Sequence, residues 1–119
     1  MQTILHYPPL AYKMSAMEFI ETATFTKMVT TLLTDDEYRV LQNELVEAPE
    51  LGDLIKGGGG IRKLRHAIQG RGKSGGVRVI YYWIKDNQQI YMLVVYPKSK
   101  KDNLTDKETA ILREFVKEL

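Results

Sequence analysis

Residues 61–96 read IRKLRHAIQGRGKSGGVRVIYYWIKDNQQIYMLVVY. Two runs within it, 77–84 and 90–96, are rich in β-branched and aromatic side chains, and 61–68, where the period changes after the glycines, carries Lys63 and Arg65 on one face; each predicts a strand. The connection Lys85–Gln89 contains Asp-Asn and reads as a hairpin, while residues 69–76 read as a longer hairpin loop. Strands joined in this way are consecutive and antiparallel. Alternation along the middle strand sets Tyr81 and Trp83 on one face and Arg78 and Tyr82 on the other. The Trp83 face is expected to pack beneath helices.

Those helices are legible on either side. Thr34-Asp35-Asp36-Glu37 has capping-box spacing, and its acids suit the positive end of a helix dipole. Tyr38, Leu41, Leu45 and Ala48 follow at helical spacing, predicting an amphipathic helix over 35–47 before Pro49. A shorter helix is expected from a cap at Thr24 to about Leu33, preceded by a short strand over 17–20. Leu51, Leu54 and Ile55 are read as anchors of a connection that ends in Gly57-Gly58-Gly59-Gly60. Four glycines are costly to order and imply unusual dihedrals or close backbone approach. Downstream, Thr105 and Glu108 repeat the capping box before a helix from about 106 to 118. The order β-α-α-β-β-β-α predicts an α+β domain, a twisted and mainly antiparallel sheet with helices packed on it. Residues 1–16 show no clear period and are expected to form a loosely ordered N-terminal extension, with 17–119 as the single domain and Met17 a candidate natural start.

The 119 residues are 44% apolar, enough for one modest core. There is no cysteine, which removes disulfide frameworks, thiol nucleophiles and cysteine-based zinc sites and is compatible with a reducing cytoplasm. No apolar run approaches the roughly 18 residues of a membrane span, and the start lacks signal-peptide character. A soluble, cytoplasmic domain is the expectation. The net charge of +2 hides a segregation: residues 17–55 hold nine acids against two cations, and residues 56–101 hold eleven cations against Asp86 alone. Such a basic block attracts a polyanion, unless it is simply a solvated cationic surface.

Elimination narrows the chemistry. His6 lies in the extension and His66 reads as a partly exposed strand residue, so paired-histidine catalysis and histidine metal sites have little support. No metal site and no cofactor are expected. Gly72-Lys73-Ser74 resembles the end of a phosphate loop, but the glycine that motif needs five residues earlier is Ala67, and a strand follows instead of a helix. GRGKSGG reads instead as a cationic loop whose amides and side chains can meet phosphate. What remains are Lys63 and Arg65 on one strand, Arg71 and Lys73 in the loop, Arg78 opening the next strand, and Tyr96, Lys98, Lys100 and Lys101 at the exit of the last. If strand 77–84 is central, these converge on one end of the sheet. Such a cluster suits a phosphodiester, whose charge grows in the transition state, with tyrosine rings available for stacking on bases. The competing reading of Arg78 is a strand arginine paired with an acid, and that of Lys100 and Lys101 is plain surface.

From Met17 onward the chain resembles the RelE-like toxins of bacterial toxin–antitoxin systems, specifically the HigB-type branch. The resemblance rests on TDDEYRVLQNELVEAPELGDLIKGGGGIRKLR, on GRGKSGGVRVIYYW and on YMLVVYPKSKKDNL. It implies a RelE-like fold and a ribosome-dependent endoribonuclease that cuts mRNA in the A site without metal, the ribose 2′-hydroxyl attacking the neighbouring phosphate. It implies catalytic roles for Arg78, which would neutralise that phosphate, and for Lys98 and Tyr96. Lys63 and Arg65 match the basic strand that contacts RNA and assists proton transfer, and Tyr82 is a candidate for stacking. Arg71, Lys73, Lys100 and Lys101 would add RNA contacts. Some relatives carry a tyrosine just before or within the last helix, whereas Asn103-Leu104-Thr105 has none, so the general acid and base stay unassigned. The implied partners are the ribosome, mRNA and a HigA-like antitoxin with a helix-turn-helix domain, DNA being met only through that antitoxin. A ParE-like inhibitor of DNA gyrase and a non-catalytic RNA-binding module are the alternatives.

Overall fold

A computed structural model describes residues 2–3, 17–68 and 76–119. The remainder of 1–16, expected to be loose, and residues 69–75, with Arg71 and Lys73, lie outside the described residues. The elements are β1 (Gln2–Thr3), β2 (Glu18–Glu21), α1 (Ala23–Leu32), α2 (Asp35–Glu47), β3 (Asp53–Leu54), β4 (Arg62–His66), β5 (Val77–Ile84), β6 (Gln89–Pro97) and α3 (Asp106–Val116). They form one six-stranded sheet, ordered β1-β2-β6-β5-β4-β3. All pairs are antiparallel except β2–β6, which is parallel. The α+β architecture read from the sequence is present, with two-residue edge strands β1 and β3 that the apolar pattern does not announce.

Both capping boxes form. The Thr34 hydroxyl accepts from the Glu37 amide and the Glu37 carboxylate from the Thr34 amide, and Thr105 and Glu108 do the same at α3. The first helix is capped by Thr22 rather than Thr24. The Thr22 hydroxyl accepts from the Phe25 amide at 3.0 Å and donates to the Leu93 carbonyl at 2.7 Å. A long-range bond therefore selects the cap, and local spacing could not reveal it.

The sheet has two unlike faces. Val77, Val79, Tyr81 and Trp83 of β5, with Ile90, Met92 and Val95 of β6, pack with Phe25 and Val29 of α1 and Leu41 and Leu45 of α2. Each large side chain fully buried there contributes about 1.5–3 kcal/mol. Tyr81 also donates its hydroxyl to the Pro49 carbonyl at 2.6 Å and accepts from the Gly52 amide at 2.8 Å, which fixes the chain leaving α2. His66 is buried on this face, its Nδ1 3.2 Å from a Glu44 carboxylate oxygen of α2, which corrects the expectation of a partly exposed histidine. On the opposite face a second cluster joins Ile61, Ile80, Leu93 and Tyr96 to Val116 of α3. Of the expected loop anchors, Ile55 packs against this cluster, whereas Leu51 and Leu54 are exposed.

The glycine run closes under that second cluster. Gly60 has φ 109°, and a Cβ there would sit 2.9 Å from Cε1 of Tyr82. Both the strained dihedral and the close approach exclude a side chain, as the four-glycine run leads one to expect. The loop brings β4 alongside β5 with Arg65 opposite Arg78, and β6 brings Tyr96 opposite Arg78 on the other side.

Candidate active site

Residues directly opposite one another on neighbouring strands share a face. The registers Arg65↔Arg78 and Arg78↔Tyr96 therefore make a single polar row across β4, β5 and β6, and Lys63 joins the same face two residues along β4. The row depends on a β-bulge. Between Ile80↔Val94 and Tyr81↔Met92 the register shifts, and Leu93 is the extra residue. Strict alternation from Ile90 would turn Tyr96 toward the helices. The bulge flips the remaining strand, so Val95 faces α1 and α2 while Tyr96 joins Arg78. The Leu93 carbonyl, at the bulge, is the one bound by the Thr22 hydroxyl.

Helix α3 covers only the far part of this face. Over the polar row runs the segment from Lys98 to Thr105, and its contacts converge on Asp102. The Arg78 Nε donates to Asp102 Oδ1 at 2.8 Å, and Nη2 lies 2.8 Å from the same oxygen. Lys63 Nζ and the Tyr96 hydroxyl each donate to the Asp102 carbonyl at 3.3 Å. Lys63 Nζ also bonds Oδ1 of Asn103. The side chain of Arg78 is only 7% exposed, whereas that of Asp102 is 46% exposed. The hydrogen bond from Arg78 holds the Asp102 carboxyl below its ordinary value of 3.8, with the charges of Arg78, Lys63 and Arg65 acting in the same direction. Burial raises the Tyr96 phenol above its ordinary value of 10.0, against the pull of Arg78, so at neutral pH it is protonated and able to donate. The arrangement groups three donors around one surface residue: a guanidinium on the Asp102 carboxylate, and an ammonium and a phenol on its backbone carbonyl.

One family's sequence model, described as the RelE toxin of the RelE/RelB toxin–antitoxin system, matches residues 17–119. The chain belongs to the RelE toxin family. Membership makes it the toxin member of a toxin–antitoxin pair and implies a cognate antitoxin as partner.

In this RelE-type toxin Lys63, Arg65 and Arg78 are brought together, as the hairpin reading expects, and the Leu93 bulge adds Tyr96 to them. Lys98 follows at the same rim. It is exposed, and its amide donates to the Gly76 carbonyl at 3.0 Å, two residues before Arg78. Lys100 is exposed in the adjoining turn, its amide bonded to the Pro97 carbonyl. Lys101 is engaged internally: its Nζ lies 2.6 Å from a Glu108 oxygen and 5.2 Å from the centre of the Tyr96 ring, so it braces that ring against the start of α3. Tyr82 is half-buried in the second cluster, packed against Gly60 and opposite Tyr91. Asp102 and Asn103 were not visible as site residues from sequence. Their one signal is position, an acid and an amide that close the basic block just before a capping box. Among the described residues no group of three or more His, Cys, Asp or Glu side chains is arranged to hold a metal ion, and no helix is long and apolar enough to cross a membrane.

Proposed function

We propose that this toxin is a ribosome-dependent endoribonuclease that cleaves mRNA in the A site. The observation that carries the reading is the convergence of Arg78, Lys63 and Tyr96 on one exposed residue, Asp102, whose carboxylate takes Arg78 and whose backbone carbonyl takes the other two. A scissile phosphate held there would have its charge met by Arg78, with Lys63, Arg65 and Lys98 lining the approach of the RNA backbone. In the reaction the ribose 2′-oxygen attacks phosphorus, the bond to the 5′-oxygen breaks, and a 2′,3′-cyclic phosphate and a 5′-hydroxyl result. The proton lost from the 2′-hydroxyl is balanced by one gained at the leaving oxygen. Tyr96, kept protonated by burial and 3.3 Å from the Asp102 carbonyl, is the donor best situated for that oxygen. Arg78 acts on the doubly charged phosphorane, where fixed donors in a partly dry site have most effect. Lys100 extends the basic surface toward RNA.

The HigB-type resemblance supports a small helix-turn-helix antitoxin encoded beside the toxin, and cytoplasmic action on ribosomes. The test is purified protein added to programmed ribosomes, and in parallel to DNA gyrase. Cleaved mRNA with unaffected gyrase is the expected result; inhibited supercoiling with intact mRNA would replace the reading with a ParE-like one. Arg78→Ala should lower the cleavage rate about 10²–10³-fold, the usual loss for one transition-state donor, while retaining a cooperative thermal melt. Unchanged cutting by that variant would remove Arg78 from the chemistry.

A further inference from the structure

The donors that should hold a substrate phosphate are already occupied by the chain itself. We propose that Asp102 is an internal stand-in for the RNA phosphate, a displaceable plug whose carboxylate must leave Arg78 before an anion can bind. The inference rests on the proposed ribonuclease site and names how that site is kept closed.

Three observations support it. First, the bond is poorly matched. Nε and Nη2 of Arg78 both reach one oxygen, Oδ1 of Asp102, each at 2.8 Å. A phosphodiester offers two non-bridging oxygens, one for each N–H, which is the fork-to-fork geometry a guanidinium binds best. Second, the exit is open. Arg78 is 7% exposed at its side chain and Asp102 46%, so the carboxylate can rotate into solvent while the guanidinium stays in place. Third, the backbone under Asp102 is held independently of its side chain. Lys63 and Tyr96 grip the Asp102 carbonyl, the Lys98 amide holds the Gly76 carbonyl, and the Thr105–Glu108 capping box fixes the far end. Rotating the carboxylate away therefore breaks the contacts to Arg78 and leaves the other donors in position. With the plug in place, the apparent affinity for any anion is lowered by the fraction of molecules that are open.

The probe is sulfate, which does not titrate near neutral pH, followed by NMR of the Arg78 Nε–H. A short 2′-O-methyl oligonucleotide, which cannot be cleaved, serves as the nucleic-acid probe. Asp102→Asn should bind both about tenfold more tightly than the unaltered protein, the gain expected if roughly nine molecules in ten are closed. Asp86→Asn, the same charge change in the β5–β6 turn, should leave both affinities unchanged. Equal or weaker binding by Asp102→Asn overturns the plug, as does an equal gain from Asp86→Asn, which would reduce the effect to net charge. Should Asp102→Asn fail to melt cooperatively, Asp102→Ser is read against the same expectations. Loss of mRNA cleavage by a folded Asp102→Asn that binds sulfate no more tightly would make the carboxylate part of the chemistry and also overturns the proposal. The two readings separate cleanly: tighter anion binding by Asp102→Asn in a toxin that never cuts mRNA keeps the plug and removes the ribonuclease.

Discussion

The two faces of the sheet share their strands but are closed by different means. On the face covered by α1 and α2, alternate residues of β5 (Val77, Val79, Tyr81, Trp83) are apolar and packed beneath those helices. The opposite face begins as a core, with Ile80 and Tyr82 packed toward α3, and ends as the polar row Arg65, Arg78 and Tyr96 under a loop. A helix covers apolar surface with side chains that need no partner. A loop covers charge only by supplying a counter-charge, here Asp102. One face is therefore held by burial throughout, and the other by burial under α3 and, at its polar end, by contacts to Asp102.

The sharpest way to break this contrast is in the core. Phe25→Ala deletes a fully buried ring and should cost about 3–5 kcal/mol of unfolding free energy in urea melts, with cleavage per folded molecule unchanged. Thr22→Val should cost less, about 1–3 kcal/mol, because the Phe25 amide and the Leu93 carbonyl lose a partner. Its effect should nonetheless cross to the other face, since Leu93 is the bulge that aims Tyr96. Reduced kcat in the folded Thr22→Val protein is the expected outcome, and full activity would mean the bulge stands without its anchor. Thr34→Ala and Thr105→Ala remove equivalent caps, at about 1 kcal/mol each. Only Thr105→Ala, which loosens the segment carrying Asp102, should also change anion affinity.

The smallest expected effect is on pH dependence. Asp102 and Glu108 both have lowered values, through Arg78 and Lys101 respectively. Because the folded values lie below the ordinary 3.8 and 4.5, the unfolded chain binds more protons in that window, and stability falls as pH falls. Their contribution is complete above the ordinary values and lost as pH drops through the lowered ones. Equilibrium melts between pH 5 and 2.5, values chosen as roughly bracketing carboxylate titration, should show a shallower acid slope in Asp102→Asn than in the unaltered protein.

The amino-acid sequence by itself determined the elements with local signatures. Thr34 to Glu37 and Thr105 to Glu108 specify two helix starts because a capping box is closed within four residues. Alternation placed Tyr81 and Trp83 under the helices and Arg78 opposite them because side-chain direction in a strand has a fixed period. Hairpin order brought Arg65 beside Arg78. Tertiary structure alone decided that β2 lies parallel to β6, that Thr22 caps α1, that the Leu93 bulge turns Tyr96 to the basic face, and that Asp102 folds back onto Arg78. Each of these is a contact between residues far apart in the chain or a break in a regular period. Local pattern carries the period but not the partner that interrupts it.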